Sequence, residues 1–584
     1  MTMTERLTDI AAKAFAEAGY TDVPVAVTFS DRPDLCQFQS NSCFAAAKQY
    51  KKAPFMVADD VAAVLGRNEI FEKAEGVKPG FINLTLTDKA IAEMTGELSA
   101  DEHLGVPQYD NEMIVIDYGG PNVAKPLHVG HLRSAIIGQS LKLIARACGC
   151  TAVGDTHLGD WGLQIGLVIA ELEERHPEWA VFSPDFREGG EVPELTAEML
   201  TEVYPTASAK SKTDEAFRDK AHTATFDLQN RREGYIALWK EIMRVSGADL
   251  KSNYDKLNVD FEYWYGESDA DAYIPELMDI LEKKGLSYES DGALVVDVAE
   301  ETDKAPVPPV IVRKSDGSSI YATTDLATII QRERDFAPSK IWYVIDNRQE
   351  MHLTQVFRCA RKAGLVPEST ELSFLGFGTM NGKDGKPYKT RDGGVMRLSD
   401  MIGTVTDAAL ARIEEQGKVS EADREEYARR IGVAAIKFGD LINHRAKDYI
   451  FDMDKFLSAE GKTGVYILYT VSRINSILRK AAEQGITFDE DKFEIFTDSE
   501  RELMLKLLGS GESWKTAFAE RAPSFICENV YQICVSFSHF YHESRIIDEE
   551  DAAKKNARLA LITLTRRIIT AHLDALGIET VEMM

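Results

Sequence analysis

Two histidines three residues apart, His128 and His131, enclose Gly130 in the segment HVGH, where an apolar run gives way to helical spacing. Backbone N–H groups at a helix N-terminus attract anions, glycine permits close approach, and two imidazoles can donate to phosphoryl oxygens as negative charge develops. The same pair could bind a metal, although no third ligand at suitable spacing accompanies it, or could simply cap the helix. Residue types alone leave these readings open; no metal site is expected.

The elements around the pair narrow the choice. MIVIDYGGP (113–121) has the pattern of a buried strand ended by Gly-Gly-Pro, and PLHVGHLRSAIIGQSLKLIARACG has helical apolar spacing with a stop at Gly149. A strand, a glycine-bearing turn and a helix form the opening of a nucleotide-binding α/β unit. IWYVID (341–346) and LSFLGFG (372–378) read as later strands of the same sheet, so the charged, mostly helical stretch of about 170–260 is inserted between its halves. Residues 1–108 begin with a helical pattern and pass through Pro24, Pro33 and Pro79-Gly80 into FINLTL, an alternating strand; this predicts a small separate α/β domain. From residue 402 the spacing is helical to the end. The expected division is therefore 1–108, 109–401 and 402–584, an α/β body with an all-α C-terminal region.

The 584 residues exceed what one core serves, and 44% hydrophobic residues are enough to fill several. Asp and Glu number 95 against 67 Lys and Arg, a net charge of -28, which disfavours a surface built for non-specific nucleic-acid or membrane binding. No uncharged apolar run approaches the roughly 20 residues of a membrane span. Glu5 and Asp9 stand where a signal peptide carries positive charge, so a cytoplasmic protein is expected. Seven scattered cysteines without a CxxC pair predict reduced thiols and no zinc site. A dinucleotide oxidoreductase is excluded because no GxGxxG follows the strand pattern of 113–121.

IDYGGPNVAKPLHVGHLRS (116–134) closely resembles the HIGH-motif region of class I aminoacyl-tRNA synthetases, and among them most closely the arginyl-tRNA synthetases. The resemblance continues through GDTHLGDWGLQIG (154–166), YGES (265–268), KSDGSSIYATTDLA (314–327), IDNRQEMHLTQ (345–355), GKPYKTRDGGVMRLSD (385–400) and GVYILYTVSRI (464–474), in the family's order over nearly the whole chain. It implies a Rossmann-type parallel-sheet catalytic domain with an insertion, an additional N-terminal domain that contacts tRNA, and a C-terminal helical-bundle anticodon-binding domain. It also implies a two-step reaction: arginine's carboxylate attacks the α-phosphate of ATP, and a terminal ribose hydroxyl of tRNA-Arg then attacks the activated carbonyl. No protein nucleophile is needed, so positioning and charge stabilisation must carry catalysis.

By the same resemblance His128, Gly130 and His131 bind ATP, with Gly130 leaving room for adenine and ribose. Asp117 and Asp325 match the carboxylates that a planar five-donor guanidinium requires, Tyr321 and Gln349 match further arginine contacts, and Asn122 matches the residue near the amino-acid end. Taken singly, Asp325 could be a helix N-cap and Tyr321 a core aromatic. The loop GKPYKTRDGG lacks the KMSKS signature that ordinarily supplies a phosphate-binding lysine. Lys125, three residues before His128, is expected to replace it, assisted by Lys389 and Arg391. Residues 429–480 hold ten basic and five acidic residues, net +5, and include Tyr466, Tyr469 and Arg473 as candidate tRNA contacts. Phe81 and Asn83 match positions that contact the tRNA elbow. The expected ligands are L-arginine, tRNA-Arg and ATP with Mg²⁺, with no tightly bound cofactor, no membrane partner, a monomeric state and no activation of arginine before tRNA binds. Another class I synthetase would lack the acidic pair, and a non-catalytic synthetase-derived tRNA-binding factor would have lost the histidines or the carboxylates.

Overall fold

The computed structural model describes the chain except for residues 110, 316–319, 387, 389–395 and 418. Four strands form the central parallel sheet, in the order Glu371–Phe374, Lys340–Tyr343, Met113–Asp117, Thr151–Asp155. Ile114, Val115 and Ile116 are wholly buried, as a strand covered on both faces requires. The expected strands are thus present in one sheet. The register aligns Asp117 with Asp155 on one side and with Tyr343 on the other, so three side chains that carry the site stand in a row at the carboxyl edge.

Chain order reverses between Met113–Asp117 and Lys340–Tyr343, and the crevice beyond such a switch point is where open α/β sheets bind ligands. The helix Val129–Ala147 leaves this crevice with its histidines foremost. Ser134, on its first turns, donates to the Val344 carbonyl at 2.7 Å and accepts from the Gly119 N–H at 2.8 Å. One hydroxyl therefore ties the helix to the ends of both strands that flank the crevice.

Between the second and third strands lie the helices Leu163–Arg175, Ala197–Thr213, Glu215–Gln229 and Glu233–Lys256, in agreement with the helical pattern of that stretch. An unanticipated three-stranded antiparallel sheet follows, Ser287–Ser290, Ala293–Val296 and Val310–Arg313. It shares a separate buried cluster, including Leu277, Val296, Val312 and Ile329, with the helices Tyr321–Phe336 and Glu350–Ala363.

The N-terminal region carries a four-stranded antiparallel sheet in which FINLTL is the strand Phe81–Leu86, alternating half-buried and buried residues. Helices dominate the C-terminal region, among them Arg424–Leu441, Gly464–Glu483, Ser524–Glu543 and Ala552–Ala575. The helix Leu398–Gln416 runs through the expected boundary at residue 402. Buried residues from all three regions, such as Leu84, Ile116 and Ile474, belong to one contiguous core. No helix among the described residues is long and apolar enough to cross a membrane, and all seven cysteines are buried and unpaired.

Candidate active site

A cavity of about 760 Å³ occupies the switch-point crevice and is lined by His128, Gly130, His131, Asp117, Asn122, Tyr321, Asp325 and Gln349, among others. Segments up to 271 residues apart in the sequence thus converge on one space (Asp117 to Tyr388).

The histidine pair is built by helix capping. His128 is the N-cap in extended conformation, and its Nδ1 accepts from the Gly130 N–H at 3.0 Å, while His131 Nδ1 accepts from the His128 N–H at 3.1 Å. A neutral imidazole whose Nδ1 accepts carries its proton on Nε2, so both rings keep an Nε2–H donor. Their centroids are 4.0 Å apart. Burial lowers the pKa of His128, helped by Lys125, and burial followed by His128 itself drives His131 down to about 3. The capping reading and the phosphate-binding reading are therefore compatible: the caps fix the tautomer that a phosphate needs. A Cβ on Gly130 would stand 2.8 Å from His128 Cε1, so this glycine makes room for the His128 ring itself.

Tyr321 and Asp325 also line the cavity, from the same face of the helix Tyr321–Phe336, one turn apart. The N-cap is Ile320, so Asp325 is not a cap, and Tyr321, 56% exposed, is no core residue. The Tyr321 hydroxyl accepts from Gln164 Nε2 at 3.2 Å. Asp325 Oδ2 lies 2.5 Å from His352 Nε2, and this bond raises the His352 pKa by favouring the protonated imidazole. Asp117 Oδ2 is taken by Arg332 at 2.8 Å, and the wholly buried guanidinium also donates to Asp155 at 2.6 Å. Asp117 therefore reaches the cavity with part of its charge already matched. Asn122 is held by a parallel bridge to Gly159, where a Cβ would stand 2.2 Å from Asn122 Oδ1.

The sequence reading passed over Glu267. It lines the cavity, is buried, and has its carboxyl pushed up to about 7, chiefly by burial, opposed by His157 and reinforced by Asp160 and Asp325. Its position depends on a clamp between two motif segments. Asp160 accepts from the Ser268 hydroxyl at 2.6 Å and the Ser268 N–H at 3.0 Å, and Leu158 bridges Gly266. A guanidinium entering here stabilises the ionised form of Glu267. In the empty protein that form is lost as pH falls below about 7, so arginine should bind more weakly at pH 6 than at pH 8, releasing a fraction of a proton near neutrality. Calorimetry in buffers of different ionisation enthalpy measures that release, and Glu267→Gln should diminish it.

Lys125 is not among the described residues lining the cavity; its amine sits 4.5 Å from the centre of the Tyr204 ring. Lys389 and Arg391 lie outside the described residues. Both flanks of their loop reach the site, however. Tyr388 lines the cavity, the Val129 N–H donates to the Met396 carbonyl at 3.0 Å, and the Leu398 N–H donates to that of Leu127 at 2.9 Å.

The remote candidates fare differently from one another. Phe81 packs edge-on against Phe44 with centroids 5.3 Å apart, and Asn83 Oδ1 accepts from Gln39 Nε2 at 2.9 Å. Tyr466 is turned inward, its hydroxyl 3.0 Å from Ser538 Oγ and 3.3 Å from the Cys534 carbonyl. Tyr469 is exposed, and the Arg473 guanidinium lies over both its ring (4.7 Å) and that of Tyr541 (4.9 Å). Much of the positive charge counted over 429–480 is engaged internally. Arg429 pairs with Glu426 and Glu579, Lys462 with Glu528, and buried Lys437 donates to the Asn258 and Gly577 carbonyls.

A parallel sheet with the HVGH turn at its switch point and an N-terminal pair of neutral imidazoles defines a class I aminoacyl-tRNA synthetase. The family of class I tRNA synthetases (R), catalytic domain, matches residues 93–453, the arginyl tRNA synthetase N terminal domain matches 2–86, and the DALR anticodon binding domain matches 467–584. The chain is similar to the arginine–tRNA ligase of Agathobacter rectalis, 48% identical with 98% of both chains covered. It is 49% identical to that of Alkaliphilus oremlandii, covering 98% of this chain and 97% of the relative. The arginyl-tRNA synthetase structures from Plasmodium falciparum and Thermus thermophilus share its fold over 100% of each chain, with TM-scores of 0.82 and 0.81 at 24% and 22% identity. The chain belongs to the arginyl-tRNA synthetase family and is an aminoacyl-tRNA synthetase.

Proposed function

We infer that the cavity is where the chain, as an arginine–tRNA ligase, joins L-arginine to ATP and passes the product to tRNA-Arg. The observation that carries this reading is the convergence of Asp325, Glu267 and Tyr321 on the same cavity as two imidazoles whose Nδ1 atoms are occupied as acceptors. Asp325 and Asp117, with Glu267 and the Tyr321 phenol, receive the guanidinium, Asn122 holds the amino-acid end, and Gln349 makes a further contact with the arginine. An oxygen of the arginine carboxylate attacks the α-phosphorus, the bond to the β,γ-diphosphate breaks, and pyrophosphate leaves. His128 and His131 donate to the phosphoryl oxygens as charge gathers there. The terminal ribose hydroxyl of the tRNA then attacks the carbonyl carbon, the bond from that carbon to the bridging oxygen breaks, AMP leaves with that oxygen, and the hydroxyl proton passes to the departing phosphate or to water. Neither step needs a protein nucleophile, and alignment of two bound reactants contributes on the order of 7–11 kcal/mol.

ATP enters as its magnesium complex, with Lys125, Lys389 and Arg391 meeting its phosphates. Lys125 must leave the Tyr204 ring to do so, at a cost of about 0.5–1 kcal/mol for a partly exposed cation–π contact. Phe81 and Asn83 meet the tRNA elbow, while Tyr469 and Arg473 meet the anticodon arm, with Tyr466 supporting them from behind. The working division is an elbow-contacting domain over 1–108, a catalytic domain over 109–401 and an anticodon-binding domain over 402–584, in a cytoplasmic monomer. Arginine-dependent ATP–pyrophosphate exchange tests the reading. It should be negligible until tRNA-Arg is added, and Lys125→Ala should lower it by about 10²-fold, the scale of one lost charge-stabilising donor. Near-normal exchange by a folded Lys125→Ala enzyme contradicts the lysine's role.

A further inference from the structure

Two residues beyond His131, the same helix carries Arg133, which borders the cavity but has its Nε and one terminal nitrogen engaged inside the protein. Arg133 is 1% exposed, and its Nε lies 3.0 Å from Oδ2 of Asp440, which is wholly buried on the helix Arg424–Leu441. One of its terminal nitrogens donates to the Gly378 carbonyl at 2.7 Å and to the Lys447 carbonyl at 3.0 Å, and the guanidinium lies 5.1 Å from the Tyr449 ring centre. Four segments thus meet at one side chain: the histidine helix, the cavity wall at Phe377–Met380, the Asp440 helix and the strand Tyr449–Ile450.

The Asp440 helix is in turn locked to the helix that bears Tyr469 and Arg473. A Cβ on Gly464, the first residue of that helix, would stand 2.3 Å from the Ala434 carbonyl oxygen, so the two cross almost backbone to backbone. A buried ion pair is seldom a net gain in stability over apolar packing, because both ions lose their hydration. What a planar, multi-donor guanidinium does supply is a fixed angle and distance between the groups it joins.

We propose that the Arg133–Asp440 pair is the joint through which the C-terminal helices hold His128 and His131 in register with the α-phosphate. Asp440, which does not line the cavity, is then a positioning residue for adenylate formation. The proposal rests on the assignment of the histidines to that phosphate. It requires that loss of the joint act through the histidines: turnover falls while substrate affinities hold, and the loss disappears once a histidine is gone.

The test is a double-mutant cycle on the full-length enzyme, with ATP–pyrophosphate exchange in the presence of tRNA normalised to active sites by adenylate titration. Asp440→Asn should lower turnover on the order of 10²-fold, the penalty of misplacement by an ångström or so, with KM for ATP and arginine within about twofold. In the His131→Ala background the same change should cost less than about threefold, because coupled residues do not add. Should Asp440→Asn fail to fold, Arg133→Lys runs the same cycle, since lysine keeps the charge facing Asp440 but not the bonds to both carbonyls. Turnover unaffected by either change, or a full multiplicative loss in the His131→Ala background, overturns the joint. Undiminished turnover by His131→Ala itself overturns the histidine assignment instead.

Discussion

Asp325→Asn is expected to lower kcat/KM for arginine by about two to three orders of magnitude, because truncating one partner of a desolvated charge pair costs about 2–5 kcal/mol. The substitution preserves shape and removes only the charge that a guanidinium must meet on leaving water. Asp325 lies in the body of its helix, with a side chain 21% exposed, and makes no cap, and its one short bond, to His352 of a neighbouring helix, is one that an asparagine oxygen can still accept. The loss should fall mainly in KM, with turnover at saturating arginine less affected. Steady-state exchange over a range of arginine concentrations separates the two. A second consequence follows from the bond to His352: without the carboxylate the raised pKa of that imidazole should return toward its ordinary value, which NMR titration would show.

His131→Ala should reduce turnover in adenylate formation by about 10²–10³-fold, the scale seen when one preorganised donor to a developing oxyanion is removed. Here the effect should lie in kcat, because the donor matters most when charge accumulates at phosphorus. Rapid-quench measurement of adenylate formation reads it directly. The pKa values give this prediction a further edge. With the His131 pKa lowered to about 3 in the folded protein, against 6.5 for the unmodified side chain, the ring stays neutral throughout the working range. The adenylation rate should therefore show no inflection from His131 between pH 5 and 8. For stability the sign is that of a depressed pKa: the contribution is complete above about 6.5 and is lost as pH falls from there toward 3.

The sheet and the histidine turn were legible because their signals are local. A strand buried on both faces must be apolar throughout, as MIVID is, and a helix that opens on a phosphate must show its glycine and donors together. Other features were not. The antiparallel sheet at Ser287–Arg313 is built of three four-residue strands, and although ALVV and VIVR are apolar, runs that short do not distinguish strand from helix by periodicity. Its Asp291-Gly292 turn, with φ of +50° and +78° between paired Ser290 and Ala293, is the hairpin signal that could have found it. Glu267 was concealed for a different reason. Its raised pKa comes chiefly from burial, reinforced by Asp160 and Asp325 against the opposing His157, and only the folded chain brings these together. The basic stretch 429–480 erred in the opposite direction, because counting charges ignores partners such as Glu579, 150 positions from Arg429. Of its candidates Tyr469 and Arg473 remain presented outward, while Tyr466 packs against its neighbouring helix.

The overall acidity fits this picture better than it fitted the sequence. A net charge of -28 leaves RNA few places to adhere without specificity, so under the proposed function the cluster of Arg473 with Tyr469 and Tyr541 would be one of few surfaces able to select a pose.

The most direct measurement is aminoacylation of total tRNA by the purified enzyme with each of the twenty amino acids supplied in turn with ATP. The carboxylate wall predicts that arginine alone is attached, and only to the tRNA-Arg fraction. Comparable charging with any other amino acid, or none with arginine, would contradict it.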